Sequence, residues 1–326
     1  MARDIHEQLT QYLADAHSIE EQALAQLRNA PDLAGDEEIA NAFRQHQRET
    51  EEHERLVREL LEARDARPSV VKDVVMRLGG RGFLLFARLQ PDTPGKLAAH
   101  ALSYEGLELG SYELLRKTAE RAGETEVAET AARIAGDEQR MMERLEGLFD
   151  RSVEASLRDV GRDDMLEQLR KYLADAHAIE EQAIELLERA PQIIDSPSVT
   201  NVFSDHLDET RDHAELIQER LDALGGDPST LKDAALRLGA LNWGAFFQGH
   251  PDTPGKLAAF AYAFEHLEIG GYEQLKRVAE RTGDEETVRT VEQILEQERT
   301  AAMRIEGMFD EAVAAALRAV GVTTSR

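Results

Sequence analysis

Apolar residues along the chain recur at intervals of three and four residues, which is the period of an amphipathic helix. In the first half of the chain this pattern predicts four long helices, over roughly residues 4–29, 36–64, 93–121 and 125–148. Asp92, Thr93 and Pro94 are typical of a helix start, because a capping side chain precedes a proline in the first turn. Gly123 is typical of a helix end. The pattern therefore predicts an all-α structure.

The sequence repeats itself with a shift of 160 residues and without a gap at its landmarks. Closely matching pairs of segments are 15–23 with 175–183, 91–99 with 251–259, and 105–112 with 265–272. Such internal similarity indicates a duplicated structural unit. We therefore predict two four-helix domains, residues 1–160 and 161–326, that join near Gly161.

The segment between the second and third predicted helices, residues 69–90, is long and partly apolar, with Gly79 and Gly80 in its middle. Its length suits a crossover connection that carries a short helix. One long crossover is typical of ferritin-like bundles. The predicted fold class is therefore all-α, with two tandem ferritin-like four-helix bundles related by internal duplication.

The composition excludes several classes of function. Acidic side chains outnumber basic ones by 64 to 38, and the net charge of −26 repels phosphate, so nucleic acid and anionic membranes are poor partners. The absence of cysteine excludes disulfides, thiolate zinc sites, iron–sulfur clusters and thiol nucleophiles. The first residues lack the apolar core of a signal peptide and no stretch suits a membrane span, so we expect a cytoplasmic protein.

Several ionisable residues fall on the apolar faces of the predicted helices, where a carboxylate is costly unless a positive charge meets it. A helical projection turns Glu20 inward on the first helix and its neighbour Glu21 outward. On the other three helices the inward residues are Glu49 and His53, Glu105 and Glu108, and Glu138. The second copy repeats the full set as Glu180, Glu209, His213, Glu265, Glu268 and Glu298.

Five inward carboxylates would place about five negative charges in one core, and two divalent cations are the simplest way to balance them. Carboxylate oxygens with an imidazole suit iron or manganese, and a glutamate can bridge two ions roughly 3.5 to 4 Å apart. Our working assignment is Glu49 and His53 on one metal, Glu20 or Glu138 beside it, and Glu105 or Glu108 as the bridge.

Tyrosine and histidine residues accompany these positions. Tyr112 and Tyr272 follow the second inward glutamate of each third helix by one turn, where a phenol could bond a ligand carboxylate or relay an electron. The alternative for both is a core aromatic residue with a satisfied hydroxyl. His46 and His206 lie two turns before the inward histidines, and we interpret them as supporting or core histidines rather than ligands.

Four motifs stand together at the inward positions: residues 18–22, Glu49 and Thr50 followed by His53, residues 105–112 with 265–272, and Glu138 with 295–298. With these motifs the chain resembles the YciE/YciF family of ferritin-like proteins, twice, over nearly all of its length. The resemblance implies a bundle that usually pairs as a dimer, a di-iron site and a stress-associated role. Two bundles in one chain would then form an intramolecular pseudo-dimer, with room for further assembly, rather than a subunit of a storage cage.

The third helix is also similar to the doubled glutamate of rubrerythrin-type di-iron proteins, but the chain departs from the Glu-x-x-His pattern of di-iron sites on its second and fourth helices. Glu52, which faces outward, stands three residues after Glu49, and His53 comes one residue later. The corresponding places on the fourth helices hold Met141 and Ala301. The fourth helix therefore offers one ligand, and we expect a site that is lopsided, weaker, or occupied by one metal only.

The expected activity is that of a ferroxidase or peroxidase, with O₂ or peroxide as the small-molecule substrate and a role in protection against oxidative stress. A dimanganese, catalase-like enzyme would use the same ligands. The third hypothesis is a metal-free helical stress or interaction protein, whose inward glutamates pair with arginine or titrate. Metal content and peroxide turnover separate these three.

Overall fold

The computed structural model describes residues 4–66, 93–193, 196–226 and 253–322. Within these ranges the chain forms α-helices, one short 3₁₀ turn and no β-strand, so the predicted all-α fold class is confirmed. The chain divides into two compact units. Unit 1 comprises Met1–Arg158 with Leu317–Arg326, and unit 2 comprises Asp159–Ala316.

Unit 1 is built on four long helices and two short ones. They are α1 (Ile5–Leu27), α2 (Ala30–Leu33), α3 (Glu37–Glu62), α4 (Thr93–Ala122), α5 (Thr125–Glu146) and α6 (Phe149–Leu157). Helix α1 packs on α3 and α4, and α5 packs on α4 and α3. The four long helices end within two residues of their predicted bounds. Helices α2 and α6 were not predicted, because helices of 4 and 9 residues show too few periods of an apolar pattern.

Unit 2 repeats this arrangement after a 3₁₀ turn at Arg162–Asp164. Its helices are α7 (Met165–Ile193), α8 (Pro197–Ala223), α9 (Thr253–Thr282), α10 (Glu285–Gly307) and the greater part of α11 (Phe309–Ala319). Helix α7 packs on α8 and α9, and α10 packs on α9 and α8. Four helices therefore surround one core in each unit, with the same pairs in contact.

Local signals in the sequence explain where several helices begin and end. The side chain of Asp36 accepts hydrogen bonds from the backbone N–H groups of Glu38 and Ile39, at 2.9 and 3.2 Å, and so caps α3. Gly123 and Gly283 end α4 and α9 in the left-handed region, with φ of +73° and +75°. A side chain at either position would be strained, which explains why glycine stands in the turn from α4 to α5 and in the turn from α9 to α10.

Large apolar side chains fill the core of unit 1. Among the fully buried ones are Leu9, Leu13, Phe43, Leu61, Leu102 and Leu115. The predicted crossover connection at residues 69–90 lies outside the described residues. Of the helices that the structure describes, none has the length and apolar character needed to cross a lipid bilayer.

Candidate metal centre

Six ionisable side chains meet in the interior of unit 1, and all four long helices contribute to them. They are Glu20 on α1, His46 and His53 on α3, Glu105 and Glu108 on α4, and Glu138 on α5. None is more than 3 % exposed. Four carboxylates and two imidazoles therefore share one water-poor core.

The first part of this cluster is formed by His46, Glu105, Glu108 and Glu138. One potential ligand atom from each residue lies within 4.8 Å of the others. His46 Nε2 is 3.0 Å from Glu105 Oε2 and 3.8 Å from Glu138 Oε2. These distances bring four donors around a common point.

The second part is formed by Glu20, His53 and Glu138, again with ligand atoms within 4.8 Å of one another. His53 Nδ1 is 2.9 Å from Glu138 Oε1 and 3.9 Å from Glu20 Oε1. Glu138 thus presents one oxygen to His46 and the other to His53. Two neighbouring groups of donors share this carboxylate, which has the arrangement of a bridging ligand.

Glu49 lies outside this buried group. Its carboxylate is 27 % exposed, its Oε2 is 3.4 Å from His46 Nδ1, and Arg144 donates a hydrogen bond to the same oxygen. The hydrogen bond with His46 is the main reason why the pKa of Glu49 is lowered to about 2. Glu49 therefore contacts Nδ1 of the His46 ring on the side away from the cluster, while Nε2 of that ring faces the cluster.

From the sequence, Glu49 was expected to be a ligand and His46 a supporting residue, whereas the structure brings His46 into the cluster and leaves Glu49 at its edge. The helical projection already distinguishes the two residues by their angle from the apolar face. Taking Phe43, Thr50 and Val57 as the inner face of α3, His46 lies roughly 20–40° from the middle of that face and Glu49 roughly 80–100° from it. The more central residue of the two is the histidine.

Burial and mutual repulsion act strongly on the carboxylates. Both oxygens of Glu108 are buried and have no hydrogen-bond partner among the residues that the structure describes. Burial, together with the charges of Glu138, Glu20 and Glu105, raises the pKa of Glu108 well above its usual range. Burial likewise raises the pKa of Glu20 to about 8 and that of Glu105 to about 7.

The two histidines are stabilised in their charged form, whereas the buried carboxyl groups Glu20, Glu105 and Glu108 are stabilised in their neutral form. Burial favours the neutral ring of His53, but the contacts with Glu138 and Glu20 outweigh it and raise its pKa to about 9. The pKa of His46 is also raised, because Glu105 and Glu49 oppose the effect of burial. Without a cation, the cluster is therefore balanced by imidazolium rings and protonated carboxyl groups.

The same residues fit a pair of divalent cations. Four carboxylates carry four negative charges, which two divalent ions balance when both imidazoles are neutral. Glu108 offers two buried oxygens that lack a hydrogen-bond partner within the described part of the chain, and a metal ion would satisfy them. Four carboxylates with two histidines is also the total donor set of di-iron carboxylate proteins, although here both histidines come from α3. The buried cluster is therefore suited to holding metal.

Tyr112 lies beside the cluster and is fully buried. Its hydroxyl donates a short hydrogen bond to Glu20 Oε1. Burial and the charge of Glu20 raise the pKa of the phenol above its usual range, so Tyr112 keeps its proton for this bond. This contact fits both interpretations made from the sequence, because it bonds the phenol to a cluster carboxylate and also satisfies the hydroxyl of a core aromatic residue.

Unit 2 repeats the cluster with Glu180, His206, His213, Glu265, Glu268 and Glu298. His206 Nε2 is 3.1 Å from Glu265 Oε1, and His213 Nδ1 is 2.8 Å from Glu298 Oε1. Tyr272 donates to Glu180 as Tyr112 does to Glu20. Glu209 again lies at the edge, 3.4 Å from His206 and 3.0 Å from Arg304.

The outer nitrogen of the second histidine has a different partner in each unit. His53 Nε2 is 3.3 Å from Asp137 Oδ2, whereas His213 Nε2 is 3.1 Å from Gln297 Oε1. A carboxylate partner makes a ligating imidazole more basic than an amide does. The surface of unit 1 opens here into a cavity of about 310 Å³, lined by Gln45, Arg48, Glu49, Glu52, His53, Arg133 and Asp137.

Comparison with protein families gives a match that covers both halves of the chain. The model of a family described as "Domain of unknown function (DUF892)" matches residues 4–158 and again residues 164–318. That family lies within the ferritin-like superfamily. No solved structure matches the chain.

Proposed function

The chain belongs to the DUF892 family through both of its halves, and we propose that each half holds a dinuclear iron site that oxidises ferrous iron and reduces peroxide. The physiological role would be protection against oxidative stress. Within the superfamily we propose the YciE/YciF-type proteins as the nearest functional relatives, on the motifs around Glu20, Glu49, Glu105 and Glu138.

The observation that carries this proposal is the sharing of Glu138 between two groups of buried donors. One metal would be held by His46, Glu105, Glu108 and Glu138, and the other by Glu20, His53 and Glu138. A pair of iron ions bound there supplies redox chemistry toward O₂ or peroxide.

The side chains around the cluster keep its donors in place. Tyr112 holds Glu20 by a hydrogen bond, and Glu49 and Asp137 hold the outer nitrogens of His46 and His53. Such outer partners fix the tautomer and the direction of a ligating imidazole. The apolar helix faces exclude water, which strengthens electrostatic interactions in the core. The protein thus offers a preorganised set of donors rather than a flexible acidic surface.

The donor set favours iron or manganese over softer metals, because oxygen and nitrogen atoms provide all of the described donors. A dimanganese, catalase-like site would use the same residues. The metal-free alternative is supported by the pairing of His46 with Glu105 and of His53 with Glu138, which neutralises part of the cluster without any ion. Metal analysis separates these alternatives.

The deciding experiment is elemental analysis of the full chain, purified without chelator from iron-replete and manganese-replete cells. We expect about two iron ions per unit, as in paired-metal sites. Glu138→Ala should remove the metal of unit 1 only, and Glu298→Ala that of unit 2 only. Glu143→Ala is the matched control, since Glu143 is an exposed residue on the same helix as Glu138.

The second step is anaerobic loading with ferrous iron, followed by mixing with H₂O₂ or O₂ and measurement of iron oxidation and peroxide loss. Rapid peroxide loss coupled to iron oxidation supports the proposal. Evolution of O₂ from peroxide by a manganese-loaded protein would favour the catalase-like alternative. A protein that retains no metal, and that unfolds identically with and without added iron, would refute the metal function altogether.

A further inference from the structure

A small cavity in unit 1 is lined in part by Glu105. Its other lining residues are Ala23, Gln26, Leu27, Ala30, Phe43, Leu97, His100, Ala101 and Tyr104. A water-sized sphere can occupy about 30 Å³ of it. One water molecule needs about 10 to 15 Å³ by this measure, so the cavity admits one or two waters or a molecule of similar size. Organic substrates are too large for it.

Three polar side chains give this otherwise apolar cavity the means to form hydrogen bonds. They are the amide of Gln26, the imidazole of His100 and the phenol of Tyr104. The Tyr104 hydroxyl donates to the backbone carbonyl of Ile19 at 2.9 Å, which fixes its position and leaves its oxygen as an acceptor. A small neutral molecule that both donates and accepts hydrogen bonds is therefore matched to this lining.

The internal duplication provides a built-in comparison. All six apolar lining residues recur unchanged in unit 2, as Ala183, Leu187, Ala190, Phe203, Leu257 and Ala261, and Glu105 recurs as Glu265. All three polar residues are replaced by apolar ones, namely Leu186, Phe260 and Phe264. The rings of Phe260 and Phe264 lie next to each other, with centroids 6.2 Å apart. The two units thus differ at the polar positions of this cavity and agree at the apolar ones.

We propose that the cavity of unit 1 is a binding site for hydrogen peroxide on its way to Glu105, and that unit 2 lacks this site. Hydrogen peroxide carries two donors and several acceptor lone pairs, so entering an apolar space without partners is unfavourable for it. Gln26, His100 and Tyr104 supply such partners, whereas the two phenylalanines of unit 2 supply none. The two halves then differ in preference: unit 1 favours peroxide, and unit 2 favours an apolar oxidant such as O₂. The use of peroxide rests on the function proposed above.

The test exchanges the three polar residues between the units. In one variant, Gln26→Leu, His100→Phe and Tyr104→Phe are combined; in the reciprocal variant, Leu186→Gln, Phe260→His and Phe264→Tyr are combined. The residues introduced into one unit already pack beside the same six apolar lining residues in the other unit, so we expect both variants to fold correctly. Metal content and helical circular dichroism check it. Both variants are made in chains that retain one metal site, through Glu298→Ala or Glu138→Ala.

Two measurements are made on each chain. The first is a crystal structure at a resolution that shows ordered solvent, without added iron, because it reports on the cavity independently of turnover. We expect ordered water bonded to His100 and Tyr104 in unit 1, none at the corresponding place in unit 2, and a reversal in the exchanged variants. The second is the ratio of the H₂O₂ rate to the O₂ rate after loading with ferrous iron. Losing the polar partners should lower this ratio about tenfold or more in unit 1, and the reciprocal exchange should raise it in unit 2.

The outcomes separate this proposal from the function on which it rests. A cavity without ordered solvent in unit 1 would overturn the proposal, and so would a rate ratio that the exchange leaves unchanged at equal metal content. If neither unit reacts with H₂O₂ or O₂, the proposed function fails. Solvent that is present in unit 1, absent in unit 2 and transferred by the exchange would then still support the cavity as a hydrogen-bonding site.

Discussion

Replacing Glu108 by methionine should stabilise the metal-free protein while it reduces the metal content of unit 1. Glu108 is fully buried, and neither of its carboxylate oxygens has a hydrogen-bond partner among the described residues. Glu20, Glu105 and Glu138 add negative charge around it. Without a cation this side chain therefore destabilises the fold, because nothing compensates the removal of its carboxyl group from water. Its replacement by an apolar side chain removes that cost.

The size of the effect follows from the buried oxygens. A buried polar group without a partner costs about 1 to 3 kcal/mol. The unbranched methionine side chain adapts to an irregular space, so we expect most of this amount as a gain in the free energy of unfolding. For a unit of this size, 1 to 3 kcal/mol corresponds to a rise in Tm of roughly 2 to 12 °C.

The assay is differential scanning calorimetry of the wild type and Glu108→Met, each with chelator and with excess ferrous iron under anaerobic conditions. Added iron should raise the Tm of unit 1 in the wild type, because a ligand that binds only the folded state stabilises it, and should raise the Tm of the variant by less. Glu120→Met is the matched control on the same helix, since Glu120 is exposed and paired with Arg116. That change should alter stability by less than about 1 kcal/mol and leave iron binding intact.

The reasoning would be refuted by a chelated Glu108→Met protein that is less stable than the wild type by more than about 1 kcal/mol, with the control unchanged. It would equally be refuted by a variant that retains the full metal content of unit 1. Glu268→Met in unit 2 repeats the experiment at an independent site, because both oxygens of Glu268 are also buried without a partner in the described structure.

Three further predictions concern pH, a histidine partner and a helix cap. Since the pKa values of Glu20 and His53 are raised to about 8 and 9, metal binding must release their protons, so affinity should rise from pH 6 to 9 in titrations. The chelated protein should lose stability to urea over the same range. Glu20 and His53 have higher pKa values in the folded than in the unfolded state, so the folded state binds more protons and its advantage is lost as the pH rises. Asp137→Asn should weaken metal binding in unit 1 about tenfold or more, whereas unit 2, which already has Gln297, should keep its affinity. Asp36→Ala should lower the free energy of unfolding by about 1 kcal/mol in urea titrations, and Asp36→Ser should restore most of it.

Much of the architecture could be predicted because helix formation and helix ends depend on neighbouring residues. The three-and-four spacing of apolar residues, the cap at Asp36 and the glycine at Gly123 are all local signals. The long helices were therefore found to within two residues. The duplication was visible because it is a property of the sequence itself. The burial of Glu20, Glu105, Glu108 and Glu138 also followed from a projection, since each lies near the middle of an apolar face.

Relations between helices were decided by the tertiary structure alone. A projection of α3 turns His46 toward the apolar face and Glu49 toward its edge, but only the packing of α4 and α5 against α3 brings His46 to Glu105 and Glu138 and leaves Glu49 to pair with Arg144. The sharing of Glu138 depends on the same packing. Periodicity along one helix determines which way a side chain faces, whereas the atoms that it meets belong to segments far away in the sequence. The ligand face was therefore a property of the sequence, and the grouping of donors around two neighbouring points was a property of the folded bundle.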